Sequence, residues 1–220
     1  MNSFINILLL LVSLPTLFFS VFVRFDLPIE FLKTTASQLS YRFEIFLGFG
    51  LMLFVISVRR TIRRWAGIRM VNQSDKFRWS GQISSTRRQR VIVYTIIESI
   101  LLILMGLAFY VLTTEAWIPA AVMTFFGIEG TLFLLLNSKR KFRVGLSSKA
   151  ILTADREVIL LYMEGLRKVS ISQQTIYFDY IQDLQLSFPL DCIEDDKKVE
   201  FFEHLKSAVN REKVLFRVEE

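Results

Sequence analysis

The chain has 220 residues, of which 52% are hydrophobic and 21 are phenylalanine, and its formal net charge is +6. A soluble domain has about 45–50% apolar residues spread through amphipathic elements, whereas here they lie in long blocks, which indicates surface that faces lipid. One cysteine and one histidine exclude an intrachain disulfide, a CxxC motif and a metal site built from several His or Cys ligands. We therefore expect no metal and no cofactor.

Four apolar blocks have the length that crosses a hydrocarbon core of about 30 Å. The predicted spans are about 4–23, 41–58, 91–112 and 117–136. The first block lacks the basic residues that precede the core of a signal peptide, and it is longer than such a core. We therefore interpret it as a retained helix. The short link between the last two blocks predicts an antiparallel helical hairpin.

The distribution of basic residues predicts the orientation. Residues 59–90 carry ten basic side chains and one acid, and Lys139 and Lys141 follow the fourth span, whereas the loop 24–40 carries only two basic residues. Short basic loops are retained on the cytoplasmic side. Both basic segments lie on that side only if there are four spans. The sequence thus predicts a multi-pass protein of the inner (cytoplasmic) membrane with both termini in the cytoplasm.

The tail, residues 142–220, has a different pattern, with fourteen acids and eleven bases. Short runs rich in β-branched and aromatic residues predict strands. A final helix at 194–209 places five apolar residues on one face, namely Phe201, Phe202, Leu205, Ala208 and Val209. The predicted strands are 150–153, 157–162, 168–172, 175–178 and 213–218. The predicted fold class is therefore an all-α four-helix transmembrane bundle in residues 1–141, followed by a small cytoplasmic α+β domain in residues 142–220.

This order of strands and helix resembles the bacterial pleckstrin-homology-like (PH-like) domains that are attached to membrane helices, including the YcxB-like group. The resemblance is carried by hydrophobic patterns in the tail, namely 151–153, 158–161, 164–171, 188–193 and the helix with Phe201, Phe202 and Leu205. It implies antiparallel strands whose sheet is covered at one end by the closing helix. It also implies binding of a lipid, a peptide or a protein. The tail is short for the seven-stranded sheet of that family.

Two acidic residues lie well inside the predicted spans, Glu98 in the third and Glu129 in the fourth. At 1.5 Å per residue both lie roughly 11–12 Å from the cytoplasmic end, and a carboxylate there is costly enough to require a reason. One reason is a proton- or cation-binding pair. The other is structural, a hydrogen bond to a neighbouring helix or an ion pair with a basic loop residue.

The basic segment after the second span contains the second group of candidate residues. These residues are Arg59, Arg60, Arg63, Arg64, Trp65 and Arg69. A helix lying on the headgroups would attract anionic lipid or a partner protein through them. The alternative is a topology signal that binds nothing. Two nearby aromatic residues are too few to predict base stacking, and we expect no nucleic-acid partner.

The sequence contains no GxxxxGK[ST], GxGxxG, HExxH or GxSxG motif, so we do not predict an enzyme. The leading hypothesis is a membrane adaptor or regulatory subunit of a complex, whose PH-like tail binds a protein or lipid partner. One alternative is a transport or channel component that uses Glu98 and Glu129, which with only four spans would require homo-oligomers. The other is a membrane enzyme with an intramembrane carboxylate site.

Overall fold

The computed structural model describes residues 2–30, 33–139, 141–156, 158–209 and 214–218. Its five α-helices are α1 Asn2–Arg24, α2 Arg42–Val71, α3 Ser85–Leu112, α4 Trp117–Asn137 and α5 Lys198–Ala208. The first four are long and apolar enough to span a membrane. They follow the order and positions of the four predicted spans, which confirms the prediction of four helices long and apolar enough to span a membrane.

Helix α2 continues beyond the predicted end of the second span. It has 30 residues, about 45 Å at 1.5 Å per residue, and it includes the basic segment as far as Arg69. This differs from the separate surface helix that the sequence suggested. The segment 59–71 contains no proline, and its Arg, Ile and Met residues sustain a helix, so nothing interrupts the hydrogen-bond ladder that begins in the span.

Helix α3 begins earlier than its predicted span, at a cap that the sequence analysis did not identify. The backbone N–H of Arg87 donates to Ser84 Oγ over 3.2 Å, which is the arrangement of a serine N-cap. The cap therefore precedes Ser85. Serine at this position satisfies a backbone donor that would otherwise have no partner at the helix start.

Ten short strands accompany the helices. They are β1 Pro28–Ile29, β2 Thr34–Thr35, β3 Trp79–Gln82, β4 Arg143–Leu146, β5 Ala150–Ala154, β6 Val158–Tyr162, β7 Leu166–Ser172, β8 Thr175–Tyr180, β9 Gln185–Pro189 and β10 Leu215–Val218. Strands β1 and β2 form a small antiparallel pair between α1 and α2. The other strands form two four-stranded sheets, in the orders β3-β4-β5-β6 and β10-β7-β8-β9. All neighbours are antiparallel except β10 and β7, which are parallel.

Strand β3 comes from the loop between α2 and α3, far from its partner in the sequence. Gln82 pairs with Arg143 and Trp79 pairs with Leu146, and Ile83 N–H donates to the Phe142 carbonyl over 3.2 Å. The helical hairpin of α3 and α4 is therefore inserted where a β-hairpin would have its turn. Because β3 pairs with β4, the α2–α3 loop and the tail lie on the same side of any membrane that the helices span.

The contacts between residues divide the chain into two compact units. The helical unit comprises Met1–Ile62 and Tyr94–Leu135, and the sheet unit comprises Arg63–Val93 and Leu136–Glu220. The predicted domain boundary at residue 142 differs from this division, since the end of α2, strand β3 and the start of α3 belong to the sheet unit. Strand β3 of the loop therefore belongs to the same unit as the strands of the tail.

In the helical unit, small residues allow α3 and α4 to approach each other closely. A Cβ atom at Gly127 would lie 2.8 Å from the Ser99 carbonyl oxygen, and one at Gly106 would lie 2.7 Å from the Ala120 carbonyl oxygen. A Cβ atom at Gly130 would contact Ser99 Oγ. Gly127 and Gly130 are therefore packing positions, since any side chain there would separate the helices.

In the sheet unit, aromatic side chains fill the interior. The Phe201 ring on α5 lies 5.1 Å from Trp79 of β3 and 5.9 Å from Phe188 of β9, measured between ring centroids. Of the predicted apolar face of this helix, Phe201 and Leu205 are fully buried and Val209 is buried, whereas Phe202 and Ala208 are half-buried. Helix α5 therefore closes a core to which the loop strand and the tail both contribute.

Candidate functional site

Each of the two intramembrane carboxylates is bonded to α2. Arg60 forms an ion pair with Glu98, and the two side chains are 17% and 22% exposed. Thr61 Oγ1 donates to Glu129 Oε2 over 3.1 Å. Consecutive residues of one helix thus contact a carboxylate on α3 and another on α4.

Further polar side chains accompany these contacts along the same stretches of helix. Ser57 of α2, together with Thr95 and Ser99 of α3, is buried. Charged groups inside a membrane protein persist when they pair with one another or line a polar cavity. The structural interpretation of Glu98 requires a polar partner for its carboxylate, and Arg60 is that partner.

The six predicted headgroup contacts do not form one surface of α2. Arg59 and Arg69 are exposed, whereas Arg64 is buried and Trp65 is half-buried. Arg60 is used by Glu98, and Arg63 Nη2 donates to the Val158 carbonyl of β6 over 3.1 Å. Of this set, Arg59 and Arg69 are the residues that are exposed for a contact outside the chain.

One polar cluster of the sheet unit was missed by the sequence analysis. Arg87 Nε lies 2.8 Å from Asp155 Oδ2, and Arg87 Nη1 lies 3.2 Å from Asp191 Oδ1. Arg90 Nη1 lies 3.0 Å from Asp191 Oδ2, and Ser84 Oγ donates to the Asp191 carbonyl over 2.6 Å. Asp155 is 1% exposed. The cluster ties the first turns of α3 to two turns of the tail.

This cluster is suited to structure rather than catalysis. Burial raises the pKa of the adjacent Cys192 thiol to about 12, so the sulfur stays protonated and is a poor nucleophile at neutral pH. Across the described part of the chain, no group of three or more His, Cys, Asp or Glu side chains could hold a metal ion. The arrangement holds the first turns of α3, up to residue 93, within the sheet unit, because breaking a buried ion pair leaves a charge without compensation.

A separate surface of the sheet unit exposes large apolar side chains, which we call the turn patch: Tyr162, Ile181 and Leu184. These are 57%, 52% and 53% exposed. Tyr180 Oη donates to the Tyr162 carbonyl over 2.6 Å, and Ile181 N–H donates to the Gly165 carbonyl over 3.0 Å. The β8–β9 connection therefore lies against the β6–β7 turn, which holds the three side chains in one region.

Two observations indicate that the backbone of the turn patch has a fixed conformation. Tyr180 N–H donates to the Leu184 carbonyl over 2.8 Å, closing the connection on itself, and Asp183 adopts the positive φ of 55° that aspartate tolerates better than most residues. Burial raises the pKa of Tyr180, which keeps its hydroxyl protonated for the bond to Tyr162. Apolar residues in neighbouring turns give no periodic signal, so sequence reasoning could not find this patch.

Comparison with known proteins gives no relative from which a function could be transferred: no protein-family model, no curated protein and no solved structure matches the chain.

Proposed function

We propose that this chain is a multi-pass membrane adaptor or regulatory subunit whose sheet unit lies in the cytoplasm and binds a partner protein through the turn patch. The observation that carries the proposal is the exposure of Tyr162, Ile181 and Leu184 on hydrogen-bonded turns of a water-exposed domain. Contiguous apolar surface on a soluble domain marks an interaction site, because its burial by a partner is favourable.

The strand order supports a PH-like interpretation of the sheet unit. Strands β3 to β6 and β7 to β9 form two antiparallel meanders, and the apolar face of α5 closes the core after them. This is the order that the resemblance implies, with the loop strand β3 completing seven. Strand β10 is an addition that pairs in parallel with β7. Since a fold does not determine a function, the proposed partner follows from the patch and not from this resemblance.

The positive-inside distribution supports a cytoplasmic location for the sheet unit. The segment 63–93 of the sheet unit carries eight of the ten basic residues counted between 59 and 90. The pairing of β3 with β4 requires this loop and the tail to share a side. An inner bacterial membrane with both termini in the cytoplasm satisfies both conditions.

The test is a mild-detergent purification of the full chain from its native membrane, compared between two matched variants. Leu184→Asp places a charge in the turn patch, and Val199→Asp places the same charge on the exposed face of α5, where Val199 is 69% exposed. We expect a stoichiometric partner with the unchanged protein and with Val199→Asp, and its loss with Leu184→Asp.

Two results would overturn the proposal. One is purification of the unchanged chain without any stoichiometric protein. The other is retention of the partner by Leu184→Asp at the level seen with Val199→Asp, which would place the contact outside the turn patch.

A further inference from the structure

The arginines at the start of α3 have different partners. Arg87 and Arg90 are paired with Asp155 and Asp191, whereas Arg88 Nη1 donates to the Lys139 carbonyl, 3.4 Å away, just after α4. The Arg88 guanidinium therefore contacts the backbone of another basic residue, Lys139.

A third cation lies two residues further along the chain. Asn72 Nδ2 donates to the Lys141 carbonyl over 2.8 Å, and Lys141 N–H donates to the Asn137 carbonyl over 3.3 Å. The side chains of Lys139 and Lys141 are exposed. We call Arg88, Lys139 and Lys141 the basic rim. Residues from the ends of α2 and α4 and from the start of α3 hold its backbone in place.

No carboxylate of the described residues is paired with a cation of the basic rim. Among the residues that the structure describes, none of its three cations forms an ion pair with a carboxylate, whereas Arg42, Arg60, Arg87 and Arg90 all do. Like charges that are held together create a positive potential which attracts an anion. The local fold neutralises the neighbouring arginines but leaves the rim charged.

The position of the rim in the chain indicates which kind of anion it would contact. Arg88 lies in the first turns of one helix able to span a membrane, and Lys139 follows the last residue of another by two positions. Residues at such helix ends lie at the level of the phosphates, and long basic side chains reach them. We propose that the basic rim binds the headgroup of an anionic phospholipid. This site is distinct from the turn patch and does not depend on its partner.

The experiment uses the full chain in detergent, with retained lipids counted by native mass spectrometry after addition of phosphatidylglycerol or phosphatidylcholine. The rim variant is Lys139→Gln with Lys141→Gln, which removes two exposed charges and leaves the backbone bonds in place. The matched control is Lys149→Gln with Arg167→Gln, which removes two exposed charges elsewhere in the sheet unit. A third protein, Arg88→Gln alone, tests the remaining rim cation.

We expect the unchanged protein and the control to retain phosphatidylglycerol in preference to phosphatidylcholine. The rim variant should bind it about thirtyfold more weakly, since each basic side chain near an anionic surface contributes about 1 kcal/mol. Arg88→Gln should weaken binding by a smaller factor in the same direction.

Three results would overturn the proposal. Equal losses in the rim variant and the control would show an effect of net charge alone. Equal retention of both lipids by the unchanged protein would remove the requirement for an anion. Displacement of the lipid by millimolar inorganic phosphate would identify a soluble anion, rather than a headgroup, as the ligand.

Discussion

The helical unit and the sheet unit differ in how much large apolar surface they expose. Both bury aromatic rings: Phe46 and Phe109 are fully buried in the helical unit, and Phe201 is buried against Trp79 in the sheet unit. In the helical unit, however, α3 and α4 meet through glycines, and large apolar side chains such as Leu101 remain about 60% exposed. Exposed large apolar side chains occur on all four of its helices.

This difference is the one expected for a helical unit that faces lipid and a sheet unit that faces water. Lipid tails are as apolar as leucine, so burying leucine between membrane helices gains little, and close backbone contact stabilises the packing instead. Water penalises exposed apolar area at about 25 cal/mol per Å², so a soluble core gains most from its aromatic rings. The two units therefore respond differently to the removal and to the addition of side-chain volume, which the following experiments test.

The largest expected effect comes from separating the tail from its loop strand. We expect residues 142–220 alone to lack a cooperative unfolding transition, because β4 loses β3, one of its two neighbours, and α5 loses the Trp79 contact. A second chain, in which residues 63–83 are joined by Asn-Gly to 142–220, restores β3 through a hairpin turn of the favoured type. Circular dichroism during urea unfolding distinguishes the two. A tail that unfolds cooperatively without the loop would show that β3 is dispensable.

Removing volume from the aromatic core is expected to have the next largest effect. Phe201→Ala should destabilise the sheet unit by about 3–5 kcal/mol, the usual cost of deleting a fully buried phenylalanine. Phe202→Ala is the control on the same helix, since Phe202 is only half-buried. The free energies of unfolding come from denaturant titrations of the joined chain. Similar losses for both variants would contradict the inward orientation of Phe201.

Adding volume should damage the helical unit where its backbones meet. Gly127→Ala introduces a Cβ 2.6 Å from Ile103 Cγ1 and 2.8 Å from the Ser99 carbonyl, whereas Gly48→Ala meets nothing within 4 Å. Overpacking of this kind costs about 1–3 kcal/mol, and Gly48→Ala should be neutral or stabilising because alanine favours helix. Thermal denaturation in detergent measures both. Equal stabilities would mean that α3 and α4 do not depend on close approach.

The parts of the fold that sequence reasoning predicted are those with a local periodic signal. The four spans are continuous apolar blocks, and α5 repeats its apolar residues with the helical period, so each was visible without knowledge of any partner. Strand β3 was missed because Trp79–Gln82 is short and lies in a loop whose charge suggested topology alone. Its partner β4 follows 60 residues later, beyond two membrane helices, and a pairing at that distance leaves no local pattern.

The candidate site residues that could be predicted are likewise those with a local signal in the sequence. An acidic residue in an apolar span is conspicuous, so Glu98 and Glu129 could be selected from the sequence, but the identity of their partners on α2 could not. Asp155 could not be selected in this way, because its burial depends on Arg87 from another segment. The basic rim and the turn patch arise from contacts between neighbouring ends and turns, which no single stretch of sequence encodes.

The smallest expected effect concerns the ion pair between Arg60 and Glu98. Both side chains are less than one quarter exposed, so Glu98→Gln and Arg60→Gln should each cost about 1–3 kcal/mol by leaving a partly buried charge without its partner. The double variant should cost less than the sum of the two, because the second substitution removes the charge that the first left unpaired. Thermal denaturation of the four proteins in detergent gives the coupling free energy.

That coupling separates the two interpretations of the intramembrane acids. If Arg60 holds Glu98 as a structural partner, the neutral double variant recovers stability, and proton or cation flux in reconstituted vesicles is the same for all four proteins. A carboxylate that binds a transported ion would behave differently, since Glu98→Gln would abolish flux whatever residue occupies position 60. Additive losses of stability together with loss of flux would reverse the structural assignment and make Glu98 the first residue of a transport site.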